Sequence, residues 1–214
     1  THECSSAASD VYKRQPVGFM NLFSENTNTI AQHGRRGANM QTLRVDHPDI
    51  EKFIEIKTGD VDMVKYSNIS VLLTDEFMDA VQNDSDFDLH WGGKKYSTVK
   101  AKDLWMKIIE HAHSSAEPGL LFWDTMTKYH NAEYCSPLVS TNPCAEQPLP
   151  DGGCCNLGAL NLERFVDQDG NFDFDGFKET TAVGARFLDN VIDYNLDRPV
   201  SYTHLRAHET TDNR

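Results

Sequence analysis

The sequence predicts an α/β protein, because amphipathic helix patterns alternate along the chain with short apolar strands. Two of those strands, NISVLL and GLLFW, show no alternation of polar and apolar residues, which is typical of strands covered on both faces. The 214 residues are enough for one domain with a hydrophobic core, and 39% hydrophobic with 25% charged residues is typical of a soluble globular protein.

The first helix is predicted from Met20 to Gln32, and it leads into the glycine-bounded turn HGRRGANM. A second helix is predicted in DHPDIEKFIEIKTG, with Asp46 or His47 as its cap and Gly59 after its end. Pro48 falls in its first turn, where a missing N–H is tolerated. Together these signals indicate two helices before the first predicted strand.

The first predicted strand, Asn68–Leu73, is followed by a helix that Thr74 caps. DFDLHWGGKKYST then predicts a surface hairpin whose turn is formed by Gly92 and Gly93.

The second half of the chain continues the alternation of helices and strands. Ala101–Ala116 has apolar residues at helical spacing, and GLLFW predicts another buried strand. A short helix is predicted from Asp124 to about His130, and a long closing helix spans Phe177 to Ile192.

Composition and charge narrow the function classes. A formal net charge of −13 disfavours nonspecific binding to nucleic acid or to an anionic membrane, since both need basic patches. No apolar run is long enough for a transmembrane helix, and no signal sequence is evident, which favours a cytoplasmic protein. The five cysteines are an odd number without CxxC spacing, so free or catalytic thiols are expected.

No metal site is expected from the sequence. The acidic stretch DQDGNFDFDG lacks the glycine and the glutamate of a calcium loop in either register. His111 and His113 are two residues apart on a predicted helix, which places them on different faces.

The two ends of the chain are expected to be non-native. One DNA sequence that encodes DVYKRQ, Asp10–Gln15, has a reverse complement that, read from its third base, encodes VSYTH and the start of a leucine codon, matching Val200–Leu205. Both ends also resemble translated sequencing adapters. We therefore expect residues 1–15 and 199–214 to be adapter-derived tails, and residues 16–198 to be an internal piece of a longer protein.

The segment Asn-Pro-Cys-Ala-Glu is the main candidate for chemistry. Pro143 favours an extended or turn conformation at Asn142, and we interpret the segment as extended. Alternate residues of an extended segment point the same way, so Asn142, Cys144 and Glu146 are expected to share one face. A carboxylate beside a thiol disfavours the thiolate, which suits a cysteine that carries a hydrogen atom better than a nucleophile.

Several motifs resemble the ribonucleotide reductase family in the expected order. They are NPCAEQPLP followed by CNLGALNL, together with GRRGANM, LRVDHPDIEKFIEIKTG, NISVLLTDEFM and GLLFWDTMTKYHN. The residues of these motifs are most similar to those of the adenosylcobalamin-dependent, class II branch. The resemblance covers essentially all of residues 16–198, and it implies part of a ten-stranded α/β barrel with a central finger loop that carries the radical cysteine.

The resemblance also implies roles for the residues of the finger loop. Cys144 would become a thiyl radical and take the 3′ hydrogen of a ribonucleotide, and Glu146 would act as general base on the 3′ hydroxyl. Asn142 would hydrogen-bond the sugar hydroxyls. Cys155 would be one of two thiols that form a disulfide as the 2′ hydroxyl leaves, whereas Cys154 receives no role.

The arginine turn is implied to be the loop through which a bound nucleotide tunes substrate choice. Its residues are Gly34, Arg35, Arg36, Gly37 and Ala38. The implied cofactor is adenosylcobalamin, and the implied partners are a ribonucleotide substrate, a deoxyribonucleotide or ATP effector and a thioredoxin-type reductant. The parent would be a ribonucleoside diphosphate or triphosphate reductase, and a homodimer is one of the states left open.

Three alternatives remain open at this point. The parent could be a class I large subunit, whose radical comes from a partner metal protein. It could be a thiol–disulfide oxidoreductase that uses Cys144 with Cys154 or Cys155, although the missing CxxC argues against this. The third alternative is an inactive fragment. The family's second redox cysteine and its phosphate loop do not occur in this sequence, so we expect the chain by itself to be inactive.

Overall fold

The computed structural model describes residues 16, 18–30, 37–58 and 63–194, and the chain divides into two compact units, Thr1–Pro148 and Leu149–Arg214. The tails expected at 1–15 and 199–214 lie outside the described residues. Among the described residues, no helix has both the length and the apolar character needed to cross a lipid bilayer.

The elements of the first unit are, in chain order, α1 (18–29), β1 (Met40–Arg44), α2 (Ile50–Glu55), β2 (Asn68–Leu73), α3 (Asp75–Gln82), β3 (Asp86–Trp91), β4 (Lys94–Lys100), α4 (Ala101–Ser115), β5 (Gly119–Phe122), α5 (Trp123–Tyr129) and β6 (Leu138–Thr141). A short strand, β7 (Pro148–Pro150), begins at the last residue of this unit.

A parallel sheet in the order β1–β2–β5 forms the centre of the first unit. Met40 pairs with Asn68 at one end of the sheet, and Leu73 pairs with Phe122 at the other. All residues of β2 after Asn68 are buried, which confirms the strand predicted from its lack of alternation between polar and apolar residues.

The hydrophobic core lies between this sheet, helices α2, α3 and α4, and the hairpin of β3 and β4. Its largest fully buried side chains include Phe53, Phe77 and Ile108, and Phe77 packs edge-on against Phe87 with ring centroids 5.1 Å apart. Because Phe87 lies on β3, this contact fixes the hairpin to helix α3.

Several predicted element boundaries are confirmed. Thr74 caps α3, where its hydroxyl accepts a hydrogen bond from the Phe77 N–H at 3.2 Å. The hairpin turns at Gly92 and Gly93, whose φ angles of 57° and 74° are the left-handed values that a tight hairpin turn requires. Helix α4 ends at Ser115, followed by a left-handed Ala116.

The predicted cap of α2 is wrong. The helix begins at Ile50 with Asp49 at its cap position, and no side chain makes a capping hydrogen bond. Asp46 instead accepts two hydrogen bonds from Nε and Nη2 of Arg44, and the backbone carbonyl of Asp46 accepts the N–H of His90 from the hairpin. The Asp46 carboxylate is thus engaged by Arg44, and its backbone by the hairpin, so Asp46 does not cap the helix.

The predicted burial of β5 is also wrong. Only Leu121 of its four residues is buried, and Phe122 is 48% exposed, because β5 is an edge strand of the three-stranded sheet. Among residues 37–58 and 63–148 this parallel sheet is open and does not close into a barrel.

His47 is buried in the corner between β1 and α2. Its Nδ1 accepts a hydrogen bond from the Asp49 N–H at 3.0 Å, and its ring packs edge-on against Trp91, with centroids 4.9 Å apart. Burial lowers the pKa of His47 below its ordinary value, against the opposing effect of the Asp49 and Asp46 carboxylates. The neutral imidazole is therefore the form that the fold accommodates.

We expect His47 to destabilise the protein as the pH falls. Because its pKa is lower in the folded state, the unfolded chain binds the proton more readily below a pH of about 6.5, and the stability present above that pH is lost toward the folded-state pKa. The free energy of unfolding should fall less steeply between about pH 8 and pH 5 in His47→Asn than in the wild type. His113→Asn, at an exposed histidine of α4, is the control, and equal slopes in all three proteins would contradict the prediction.

The second unit contains a 3₁₀ helix (Leu162–Phe165) and the long helix α6 (Phe174–Tyr194). Four phenylalanines, Phe165, Phe172, Phe174 and Phe177, form a cluster of ring contacts between 4.9 and 6.0 Å. The intervening acidic turn is closed by Asp167, whose carboxylate accepts N–H groups of Asp169 and Asn171. The acidic stretch therefore forms a turn held by its own first carboxylate.

Candidate active site

The segment that carries Cys144 is a closed loop that follows β6. The N–H of Asn142 donates to the Gln147 carbonyl at 3.1 Å, and the Gln147 N–H donates to the Asn142 side-chain Oδ1 at 3.0 Å. Inside these two bonds, the Ala145 N–H donates to the Asn142 carbonyl at 3.0 Å, which forms a turn with Pro143 at its second position. The loop therefore holds Asn142, Cys144 and Glu146 within six residues.

The expectation that this segment is extended is wrong. Residues 143–147 are in turns and bends, and Ala145 has a φ of 67°, in the left-handed region. The strand alternation that was expected to align the amide, the thiol and the carboxylate does not apply. Proline at the second position of a turn satisfies its fixed φ as well as an extended segment does, so the local sequence favoured both conformations.

The thiol and the carboxylate are accessible on this loop. Cys144 and Glu146 are exposed, whereas Asn142 and Ala145 are half-buried. Thr141, which precedes the loop, is buried, and its hydroxyl donates to the Asn142 carbonyl at 3.0 Å. A buried anchor followed by an exposed tip presents the Cys144 thiol to a ligand.

Asn68, the first residue of β2, connects this loop to the parallel sheet. Its side-chain Nδ2 donates to the Pro143 carbonyl at 2.6 Å, and its backbone N–H donates to the Asn39 carbonyl at 2.8 Å. The loop of Cys144 is thus joined to the amino-terminal ends of β1 and β2.

A cavity of about 250 Å³ lies at the same ends of the two strands. It is lined by Asn28, Gly37, Ala38, Asn39, Lys65, Tyr66 and Asn68. Three side-chain amides, a phenol and an ammonium group supply hydrogen-bond donors of the kind that fix a polar or anionic ligand. Asn68 both lines this cavity and hydrogen-bonds the loop of Cys144.

Two residues of the predicted nucleotide-sensing turn, Gly37 and Ala38, line this cavity. A Cβ on Gly37 would lie 2.6 Å from the carbonyl oxygen of Thr27, so only glycine fits between the turn and α1. Gly34, Arg35 and Arg36 lie outside the described residues.

Cys155 belongs to the second unit. Cys154 and Cys155 are free, half-buried thiols in an irregular segment that precedes the 3₁₀ helix. The next residue, Asn156, donates from Nδ2 to the Leu188 carbonyl at 2.9 Å, and Gly158 packs against the Leu188 side chain. These contacts fix the cysteine pair to helix α6.

The sequence patterns did not point to five residues that line the cavity: Asn28, Asn39, Lys65, Tyr66 and Asn68. The bond from Asn68 to Pro143 joins residues 75 positions apart, and no local pattern predicts such a contact. The available signal for Asn68 was a polar residue at the first position of the strand NISVLL.

A family profile described as the barrel domain of ribonucleotide reductase matches residues 7–210 of the chain. The same comparisons find curated relatives that are named as vitamin B12-dependent ribonucleotide or ribonucleoside-diphosphate reductases.

A vitamin B12-dependent ribonucleoside-diphosphate reductase of Thermoplasma acidophilum is 42% identical over 183 residues, which is 84% of this chain and 24% of the relative. A protein of the same name from Mycobacterium tuberculosis is 37% identical over 83% of this chain and 26% of its own length. A vitamin B12-dependent ribonucleotide reductase of Rhodopirellula baltica is 32% identical over 76% of this chain and 18% of its own length. The chain thus spans about a quarter or less of the length of these relatives.

Proposed function

Because the chain belongs to the ribonucleotide reductase barrel-domain family, we propose that its parent protein reduces ribonucleotides to deoxyribonucleotides by thiyl-radical chemistry. The observation that carries this proposal is the exposed Cys144 in a closed loop with Asn142 and Glu146, joined through Asn68 to a polar cavity. In the parent this loop would be the central finger of a ten-stranded α/β barrel, of which the three-stranded parallel sheet is a part.

The proposed reaction balances in atoms and electrons. The Cys144 thiyl radical takes the 3′ hydrogen atom of the ribose, while Glu146 accepts the proton of the 3′ hydroxyl. The 2′ hydroxyl takes a proton from one of two thiols and leaves as water. The two thiols, one of them Cys155, are oxidised to a disulfide, their second hydrogen ends on the 2′ carbon, and Glu146 returns its proton to the 3′ oxygen. Cys144 then returns the hydrogen atom to the 3′ carbon. Asn142 hydrogen-bonds the sugar hydroxyls.

The proposed cofactor is adenosylcobalamin, which supplies the organic radical when it is bound. The relatives at 32–42% identity are named vitamin B12-dependent, and an exposed thiol at the tip of a turn fits the task of receiving a radical. What this chain contributes is a thiol in a fixed loop, with a carboxylate two residues away.

The cavity beside the loop supports a nucleotide as ligand. Lys65 and the amides of Asn28, Asn39 and Asn68 suit phosphate and sugar oxygens, and an acidic chain of net charge −13 must attract an anion through such local groups. We propose that the arginine turn, Gly34–Ala38, senses a deoxyribonucleotide or ATP effector, that a thioredoxin-type protein reduces the disulfide, and that the enzyme acts in the cytoplasm.

The test is turnover by the full-length parent protein. It should convert ribonucleoside diphosphates or triphosphates to deoxyribonucleotides in the presence of a dithiol, and only when adenosylcobalamin is added. Product formation without cobalamin, dependent on a second metal-containing protein, would favour the class I alternative. Failure to form any deoxyribonucleotide, together with reduction of a model disulfide substrate, would favour the thiol–disulfide oxidoreductase alternative.

A further inference from the structure

Asn68 makes one hydrogen bond to the loop of Cys144 and a second to Asn39, the residue that follows Ala38. Its side chain donates to the Pro143 carbonyl at 2.6 Å, and its backbone N–H donates to the Asn39 carbonyl at 2.8 Å. Asn39 directly follows Gly37 and Ala38, which line the cavity. Asn68 therefore contacts both the loop of Cys144 and Asn39, the residue that follows the proposed nucleotide-sensing turn.

A polar network holds the backbone on either side of Asn68. The N–H of the next residue, Ile69, donates to Glu117 Oε1 at 3.1 Å. Glu117 forms an ion pair with Lys57, whose ammonium group also donates to the Ser67 carbonyl. Both side chains of the pair are largely buried, at 15% and 21% exposure. The start of β2 is therefore fixed on both sides of Asn68.

The acceptor of the Asn68 side chain belongs to the peptide group that joins Pro143 to Cys144. A peptide group is planar, so holding its carbonyl oxygen also fixes the plane that contains the Cys144 nitrogen and Cα. The direction in which the Cys144 side chain leaves the backbone depends on that plane. Because Cys144 itself is exposed, few other contacts restrain it.

We propose that Asn68 is a positioning residue, which sets the direction of the Cys144 thiol and couples it to the segment 37–39. This proposal rests on the proposed function, since it assigns Asn68 a role in the same site. Loss of the bond to Pro143 would leave the cavity in place but misorient the thiol. Misplacement of a reacting group by about 1 Å lowers a rate by roughly a hundredfold.

The variant Asn68→Asp keeps the shape of the side chain but removes its N–H donor. In the full-length reductase, we expect kcat at saturating substrate to fall about ten- to a hundredfold, because a positioning defect acts on the chemical step, and the carboxylate added to the polar cavity should raise KM as well. Asn68→Gln retains an amide donor and should recover part of the loss. The matched control is Asn83→Asp, which makes the same change at an amide that donates only to Asp79 in helix α3.

A second readout does not depend on turnover. Without cobalamin or nucleotide, the alkylation rate of Cys144 is measured by mass spectrometry of its peptide, and we expect it to change severalfold in Asn68→Ser, which adds no charge near the thiol, but not in Asn83→Ser. If Asn68→Asp does not fold, Asn68→Ser, which also removes the reach to Pro143, replaces it in the turnover assay, and the same fall in kcat is expected.

Unchanged kcat and unchanged alkylation in a folded Asn68 variant would overturn the proposal, and a rise in KM alone would make Asn68 a substrate contact. If the wild-type protein reduces no ribonucleotide, the proposed function fails, and the alkylation comparison still decides the role of Asn68.

Discussion

Replacing Cys144 with serine in the full-length reductase abolishes deoxyribonucleotide formation, with an expected loss of at least about 10⁴-fold. A serine O–H bond is much stronger than a cysteine S–H bond, so a serine cannot exchange a hydrogen atom with the ribose. The side chain is exposed at the tip of a closed loop, and its loss should leave the fold and the melting temperature unchanged. The measurement is deoxyribonucleotide formed per enzyme at saturating substrate.

The control for this prediction is Cys135→Ser. Cys135 is also exposed and belongs to the same unit, but it lies in the turn before β6 and not in the closed loop. The Cys135→Ser variant should retain turnover close to that of the wild type. Equal losses of activity in the two variants, or activity in Cys144→Ser, would contradict the assignment of the thiyl radical to Cys144.

The vicinal cysteines should behave very differently when each is changed to serine. We expect Cys155→Ser to lower multiple-turnover activity by at least about a hundredfold, because one thiol of the oxidised pair is missing. Cys154→Ser should stay within a few-fold of the wild type. Both thiols are half-buried in the same segment, so a general disturbance of that segment would affect the two variants alike.

Alkylation after one turnover without added reductant gives an independent measurement. Cys155 should then be protected from the alkylating reagent, and Cys154 should remain reactive. Protection of Cys154 instead, or a severe loss in Cys154→Ser with an active Cys155→Ser, would exchange the assignment of the two residues.

Sequence patterns predicted the parts of the fold whose causes are local. The lack of polar and apolar alternation in β2, the Thr74 cap of α3 and the glycine pair of the hairpin all require only neighbouring residues, and all three are confirmed. The cap of α2 failed because Asp46 is engaged by Arg44 and by the backbone of His90 on the distant hairpin. Burial of β5 failed because a strand's position in a sheet is not encoded in its own residues.

The candidate site, too, was predictable only where its causes are local. The residue types Asn142, Cys144 and Glu146 were recognisable in the sequence as a constellation, and the family was recognisable from motif order. The conformation that carries them was not, because Pro143 is compatible with both an extended segment and a turn. The support from Asn68 depends on a contact between residues 75 positions apart, which only the folded chain reveals.

Ala145 has a left-handed backbone next to the reactive cysteine. A residue with a Cβ pays about 1–2 kcal/mol for this conformation, and a β-branched side chain is still less compatible with it. Position 145 is therefore restricted to small or left-handed-tolerant residues such as alanine, glycine or asparagine. Diversification of this protein by directed evolution should consequently leave the residue after Cys144, the proposed radical cysteine, nearly untouched, even though no catalytic role is assigned to position 145.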